Sequence, residues 1–164
     1  MRLEVGRARV VPHVTVAMSS FVHDFLIGVG QLGRFIDNRP KAVRCVHPLV
    51  TVFEKLDAVS RRYAREPMAA DSFVRHYEDV AQIVRAAARL PGIQMTAREL
   101  AQEMLADGDI ARLPNADDPA LLLADPAKRV AVDAAWKRIA PMFWGPRIEL
   151  HAACDEIRDW LRDV

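Results

Sequence analysis

Lys55, Arg62, Arg75, His76 and Asp79 are the residues of this chain whose types and spacing suit chemistry. Lys55 and Arg62 are seven apart, so on a helix they share a face across two turns. Arg75 and Asp79 are four apart, and His76 and Asp79 three apart, both neighbour spacings on a helix. The two stretches, HPLVTVFEKLDAVSRR and FVRHYEDVAQIV, are separated by a short segment containing Pro67. Two helices so joined are predicted to be antiparallel neighbours. One face of the hairpin then presents a Lys, two Arg, a His and an Asp. Such a set suits phosphate binding together with a proton acceptor or metal ligand. The same spacings also suit a solvated face. On that view Arg75–Asp79 is an ordinary ion pair worth ~0.3–0.5 kcal/mol, His76 is a surface histidine, and Glu54 and Asp57 are helix solubilisers.

The elements that must position these residues follow from periodicity and punctuation. Leu49, Val52, Phe53, Leu56, Val59 and Tyr63 form one apolar stripe, which predicts a helix over 49–65 ended by Glu66-Pro67. Phe73, Tyr77, Val80, Val84 and Ala87 predict a second helix over 71–89, capped by Asp71 or Ser72 and stopped by Pro91-Gly92. Upstream, residues 2–16 and 42–46 read as strands, since β-branched residues are frequent among polar ones. Between them a helix from Ser19 or Ser20 to about residue 36 carries Phe21, Phe25, Leu26, Val29, Leu32 and Phe35 at helical spacing. Downstream, Thr96 with Glu99 is a capping box opening a helix over 96–105. A polar loop covers 107–119, and helices are expected over 126–143 and 147–163. The fold class is therefore α+β, predominantly helical with a small sheet. Two strands alone are marginal in water. Their open edges predict a homodimer or another partner covering them.

Composition narrows the function classes. The chain has 164 residues with 51% hydrophobic and 27% charged residues, enough to bury a core. No apolar run reaches the ~18 residues of a membrane span, and the start Met1-Arg2-Leu3-Glu4 lacks the apolar stretch of a signal peptide. Cys45 and Cys154 are too few and too far apart for a disulfide framework or a zinc site. A cytoplasmic protein is expected. Residues 1–92 carry 14 Lys/Arg against 9 Asp/Glu, whereas 93–164 carry 9 against 13. Of the 23 basic residues 19 are Arg, the side chain best shaped for bidentate phosphate contact. A basic first half suits a phosphate-rich ligand, although on charge alone a general bias towards Arg and Ala is the simpler explanation.

The run HPLVTVFEKLDAVSRR…FVRHYEDVAQIV resembles the third motif of the AbiEii-type nucleotidyltransferases, toxins of type IV toxin–antitoxin systems that include the MenT group. That motif pairs an E-K-L-x-A-L helix bearing Arg with an R-[HD]-x-x-D helix. RLEVGR followed by SSFVHDFL resembles the end of the family's catalytic sheet and the next helix, and PMFWGPRIELHAACDEIRDWL resembles its closing helices. The resemblance implies a polymerase-β-like fold, with 1–92 a partial nucleotidyltransferase core and 93–164 a C-terminal helical region. It implies transfer of a nucleotide from an NTP to RNA, the 3′ end of tRNA, with Mg2+ as cofactor and an antitoxin protein as partner. Carried over by motif position, Lys55 contacts triphosphate or substrate, and Asp79 serves the catalytic centre as a base. Arg75, Arg62 and His76 hold phosphates, and Glu4 supplies a metal ligand.

One departure matters. The fold's first motif is a Gly-Ser turn followed by Asp-x-Asp on a strand, because two metal ions need those carboxylates to clamp the attacking and leaving oxygens. No such motif precedes Glu4, and Asp107-Gly108-Asp109 lies at a helix end without a Gly-Ser turn. Two expectations compete. Either the chain carries only part of the site and activity requires an upstream segment, or it is a catalytically inactive remnant that binds protein or RNA.

Overall fold

The computed structural model describes residues 9–143 and 145–164. They fall into two compact units, Arg9–His47 and Pro48–Val164. Glu4, with the rest of residues 2–8 of the strand expected over 2–16, lies outside the described residues.

In the first unit β1 (His13–Val16) and β2 (Val43–Val46) pair antiparallel, with His13 opposite Val46 and Val16 opposite Val43. Together they make a two-stranded sheet. Between them runs α1 (Phe21–Gly28), whose Ser20 cap accepts a hydrogen bond from the His23 amide at 3.2 Å. The helix expected to reach residue 36 stops at Gly28. Gly30 adopts φ +65°, and the amides of Gly30 and Gln31 return to the carbonyls of Ile27 and Leu26 at 3.1 and 2.9 Å. That is a Schellman ending, which glycine permits without a Cβ clash. Only a 3-10 turn, Leu32–Arg34, follows. In this unit the only buried residues are His23 and His47, whereas Phe21, Val22, Phe25, Phe35 and Ile36 are exposed.

The second unit is helical. It comprises α2 (Pro48–Tyr63), α3 (Arg75–Arg85), α4 (Ala97–Ala106), α5 (Pro119–Leu122), α6 (Pro126–Arg138) and α7 (Leu150–Asp163). The predicted division at 92/93 falls inside it. Pro48 opens α2 at the first helical position, where its missing N–H has no partner to lose. The stripe Val52, Phe53, Leu56, Val59 and Tyr63 is buried as its spacing demands. It packs on α3, whose other side meets α7, so α3 is the central helix of the unit. Phe73, Tyr77 and Val80 of the second predicted stripe are fully buried, with Ile157 and Cys154 contributed by α7. Each such large side chain contributes roughly 1.5–3 kcal/mol by leaving water.

Helix ends explain the remaining boundaries. The capping box is present: Thr96 Oγ1 accepts from the Glu99 amide at 3.1 Å, and the Thr96 amide donates to Glu99 Oε2 at 2.7 Å. The second hairpin helix is shorter than the expected 71–89. Asp71 does not cap it, because its carboxylate is engaged by Arg138 at 2.8 Å. The chain makes a 3-10 turn over Ala70–Ser72 before α3 begins without a side-chain cap. At the far end another 3-10 turn, Ala87–Arg89, replaces the last helical turn. Inside the stretch expected as loop, Asp118 caps α5 through Pro119 at its first position, accepting from the Ala120 amide at 2.8 Å. Pro141 falls where α6 gives way to a 3-10 turn. The fold class is α+β, and among the described residues no helix is long and apolar enough to cross a membrane.

Candidate functional site

The α2–α3 pair brings Lys55 and Asp79, 24 residues apart, into direct contact: Lys55 Nζ donates to Asp79 Oδ2 at 2.7 Å. Lys55 is one turn from Val52 and next to Leu56 on the edge of the buried stripe, so its stem is held while its ammonium reaches α3. The same ammonium lies 3.3 Å from His76 Nδ1. The ring nitrogen thus faces both members of the Lys55–Asp79 pair. Asp79 Oδ2 is 3.7 Å from Nδ1, close but not a hydrogen bond. Burial alone raises the Asp79 pKa, but the His76 and Lys55 side chains beside it more than offset that, and the carboxyl sits below its usual range. In this arrangement Asp79 holds the Lys55 ammonium across the two helices.

The other expected phosphate holders divide. Arg75 is exposed one turn before Asp79 on α3, and among the described residues its guanidinium makes no ion pair. The Arg75–Asp79 ion pair is therefore not formed, and Asp79 pairs across the helices instead. Arg62 donates to the Ser72 carbonyl, tying the end of α2 to the turn before α3. It braces the hairpin two turns from Lys55. His76 is not a surface histidine: its side chain is 10% exposed, against 35% for Asp79.

Lys55, Asp79, Glu78, Gln82, Ile83, Phe143 and Pro146 line a cleft of about 420 Å³. Its second carboxylate, Glu78, is buried and paired with Arg147 Nε at 2.8 Å. The Arg147 guanidinium stacks on Trp136 and Phe143, 4.3 Å from each ring centre, and donates to the Trp136 carbonyl at 3.3 Å. Its Nη2 is buried without a hydrogen-bond partner among the described residues. No local offset points to the pair, since Glu78 and Arg147 are 69 residues apart. The one available signal was Glu78 falling beside Tyr77 on the buried side of the α3 pattern. Asp57 was missed in the same way. Far from solubilising α2, it is buried, pairs with Arg61 at 2.6 Å and accepts the Ala111 amide at 3.0 Å, anchoring the loop after α4. Glu54 is half-buried, and burial with the Asp109 charge raises its carboxyl pKa.

A divalent cation needs several oxygen donors with charge to spare. Both carboxylates of the cleft already face cations, and among the described residues no group of three or more His, Cys, Asp or Glu converges. The described residues do not fit a Mg2+ site, and Glu4 lies outside them.

In the first unit Ser19, His23 and Asp24 cluster, which invites comparison with a nucleophilic triad. Ser19 Oγ and Asp24 Oδ1 approach the same ring nitrogen, His23 Nδ1, at 3.1 and 3.3 Å, and Nε2 is buried without a partner. A triad needs the serine on one nitrogen and the acid on the other. Ser19 instead donates to Asp24 at 2.6 Å, so the cluster serves the start of α1.

No protein-family model, curated protein or solved structure matches the chain.

Proposed function

We propose that this chain is the phosphate-holding part of an AbiEii-like nucleotidyltransferase toxin, acting with an NTP and the 3′ end of tRNA. The observation that supports this reading most is the Lys55–His76–Asp79 cluster. Three residues of one two-helix motif, from separate helices, meet at a cleft with Lys55 Nζ and Asp79 2.7 Å apart. Lys55 and the exposed Arg75 supply the positive charge that a triphosphate needs. Asp79 holds the ammonium in place until phosphate oxygens compete for it. In the transfer the acceptor hydroxyl oxygen bonds to the α-phosphorus as the bond to pyrophosphate breaks, and the hydroxyl proton is lost to a base. In this reading Asp79 holds Lys55 and is the candidate base, and the metal-binding carboxylates are supplied by residues other than those described in the cleft. An antitoxin and a second copy of the chain are the protein partners of this reading. Light scattering during gel filtration measures the second.

One observation favours a different reading, a catalytically inactive module that binds RNA or protein: each carboxylate of the cleft is already neutralised by its own cation. Incubation of tRNA with labelled NTPs and magnesium, scored for one-nucleotide extension, separates the two. The 164-residue chain is expected to bind tRNA with strong salt dependence and to extend it poorly. A product that includes in-frame upstream sequence is expected to extend it, with Asp79→Ala and Lys55→Ala abolishing extension. Intact RNA binding without extension by either protein would establish the binding module.

A further inference from the structure

We propose that Phe143, Pro146 and Gln82 form a nucleobase seat beside Lys55, and that Arg147 is the positioning residue that holds it. The inference rests on the phosphate-holding role of Lys55 and goes on to say where the rest of a nucleoside phosphate lies. Asp79, Gln82 and Ile83 follow one another at i, i+3 and i+4, so they share one face of α3, and all three line the cleft. The polar end of that face is the Lys55–Asp79 pair. Gln82 lies one helical turn further along, ~5 Å by helix rise. This is the order of the span between the 5′-phosphate and the base of a nucleotide. Phe143 and Pro146, a flat aromatic ring and a compact apolar one, line the same cleft.

Phe143 is half-buried, and one face of its ring is covered by the Arg147 guanidinium at 4.3 Å. The ring also lines the cleft, where a planar ligand can meet it. Arg147 cannot swing away without leaving the buried Glu78 carboxylate at 2.8 Å. Glu78 also accepts from the Ile148 amide at 3.4 Å, so one α3 carboxylate fastens the chain on both sides of the Arg147 peptide. The wall of the cleft is thus fixed to the helix that carries Asp79. Gln82 is exposed, and among the described residues its amide has no hydrogen-bond partner. An amide offers a donor and an acceptor side by side, the pattern that a base edge complements. The volume, about 420 Å³, lies in the range of small-ligand clefts. A planar hydrogen-bonding ring joined to an anion is the ligand chemistry that matches all four groups. Both a free NTP and the terminal nucleotide of an RNA present it.

Calorimetric titration of the 164-residue chain with tripolyphosphate, each of the four NTPs and a short single-stranded oligoribonucleotide tests the seat. Base stacking on an aromatic side chain is worth about tenfold or more in affinity. At least one base-bearing ligand should therefore bind about tenfold more tightly than tripolyphosphate. Preference for NTPs identifies the free nucleotide as the source, and preference for the oligonucleotide identifies an RNA end. Phe143→Ala should erase that advantage and leave tripolyphosphate binding unchanged, whereas Phe143→Trp retains it. Gln82→Ala should narrow the spread among bases. Arg147→Lys keeps the charge but not the stacked plane, and should cost base-dependent affinity alone, with an unaltered melting temperature for Phe143→Ala as the folding control. The proposal is overturned if no base-bearing ligand outbinds tripolyphosphate. It is equally overturned if Phe143→Ala weakens all ligands alike or none. Absence of nucleotide transfer with the base-dependent split intact would remove the transferase reading and leave the seat standing.

Discussion

The two units of the chain use similar apolar residues to opposite effect. In Pro48–Val164, phenylalanines 53 and 73 are at most 1% exposed, whereas in Arg9–His47 Phe21 is 95% and Ile36 92% exposed. Both units contain amphipathic patterning, capped helices and ion pairs. The difference is that α3 finds α2 on one side and α7 on the other, whereas the two-stranded sheet and α1 bury only two histidines. An apolar stripe is a demand for a partner element, and only the second unit contains that element within itself.

The contrast can be broken most directly by core truncation. Phe73→Ala should cost about 3–5 kcal/mol through lost transfer energy and an unfilled cavity, measured by urea unfolding. Phe21→Ser should change stability by less than ~0.5 kcal/mol. Comparable losses from the two would show that the first unit has a core after all. Next in size is the comparison of ion pairs. Glu78→Ala strands the Arg147 charge in a buried site, at a cost of about 3 kcal/mol. Removing Asp37, whose partner Arg39 is 2.9 Å away on the surface, should leave the unfolding midpoint where it was. An unchanged midpoint for Glu78→Ala would sink the argument that it fastens the cleft wall.

Helix caps give a smaller and sharper test, because both units have one. Thr96→Ala should cost ~1 kcal/mol of global stability. Ser20→Ala removes the equivalent bond from α1 and should instead appear as faster amide hydrogen exchange confined to that helix. A global loss from Ser20→Ala equal to that from Thr96→Ala would mean that α1 unfolds with the rest. The smallest effect is in acid. Asp79 and Asp37 are both held below the usual carboxylate range, the first by His76 and Lys55 against burial, the second by Arg39. A depressed folded-state value means stability that is present above the unfolded pKa of ~3.9 and lost as pH falls through the folded one. Asp79→Asn should therefore flatten the acid limb of the stability profile below about pH 4. Asp37→Asn should alter it only at low ionic strength, since salt screens an exposed pair. Identical salt dependence for both variants would place Asp79 in solvent.

What could be read from the residues was what is local. The stripe of α2 and the Thr96–Glu99 box are periodicities or fixed offsets, and both reappear in the structure. So does the meeting of Lys55 with Asp79, since two helices joined by a short turn have little choice of neighbour. The reading failed where a side chain had a distant alternative. Asp71 looked like a cap, but Arg138, 67 residues on, takes it. Arg62, placed by motif among the phosphate holders, has the Ser72 carbonyl as a partner that no offset announces. Glu78, Arg147 and Asp57 left no offset to find, because their partners are fixed by packing. The helix carried past Gly28 failed for a further reason. Val29, Leu32 and Phe35 continue the period past Gly30, whose positive φ turns the chain.

The two cysteines divide along the same line, with a practical result. Cys154 is buried in α7, and burial pushes its thiol up to about 12, whereas Cys45 on β2 is partly exposed. Alkylating reagents attack the thiolate, which for Cys154 amounts to about one molecule in 10⁵ at neutral pH. The unaltered chain thus offers a single labelling position. A fluorophore or spin label placed on Cys45 reports on the small sheet alone, and slow labelling of Cys154 becomes a clock for the opening of the helical core.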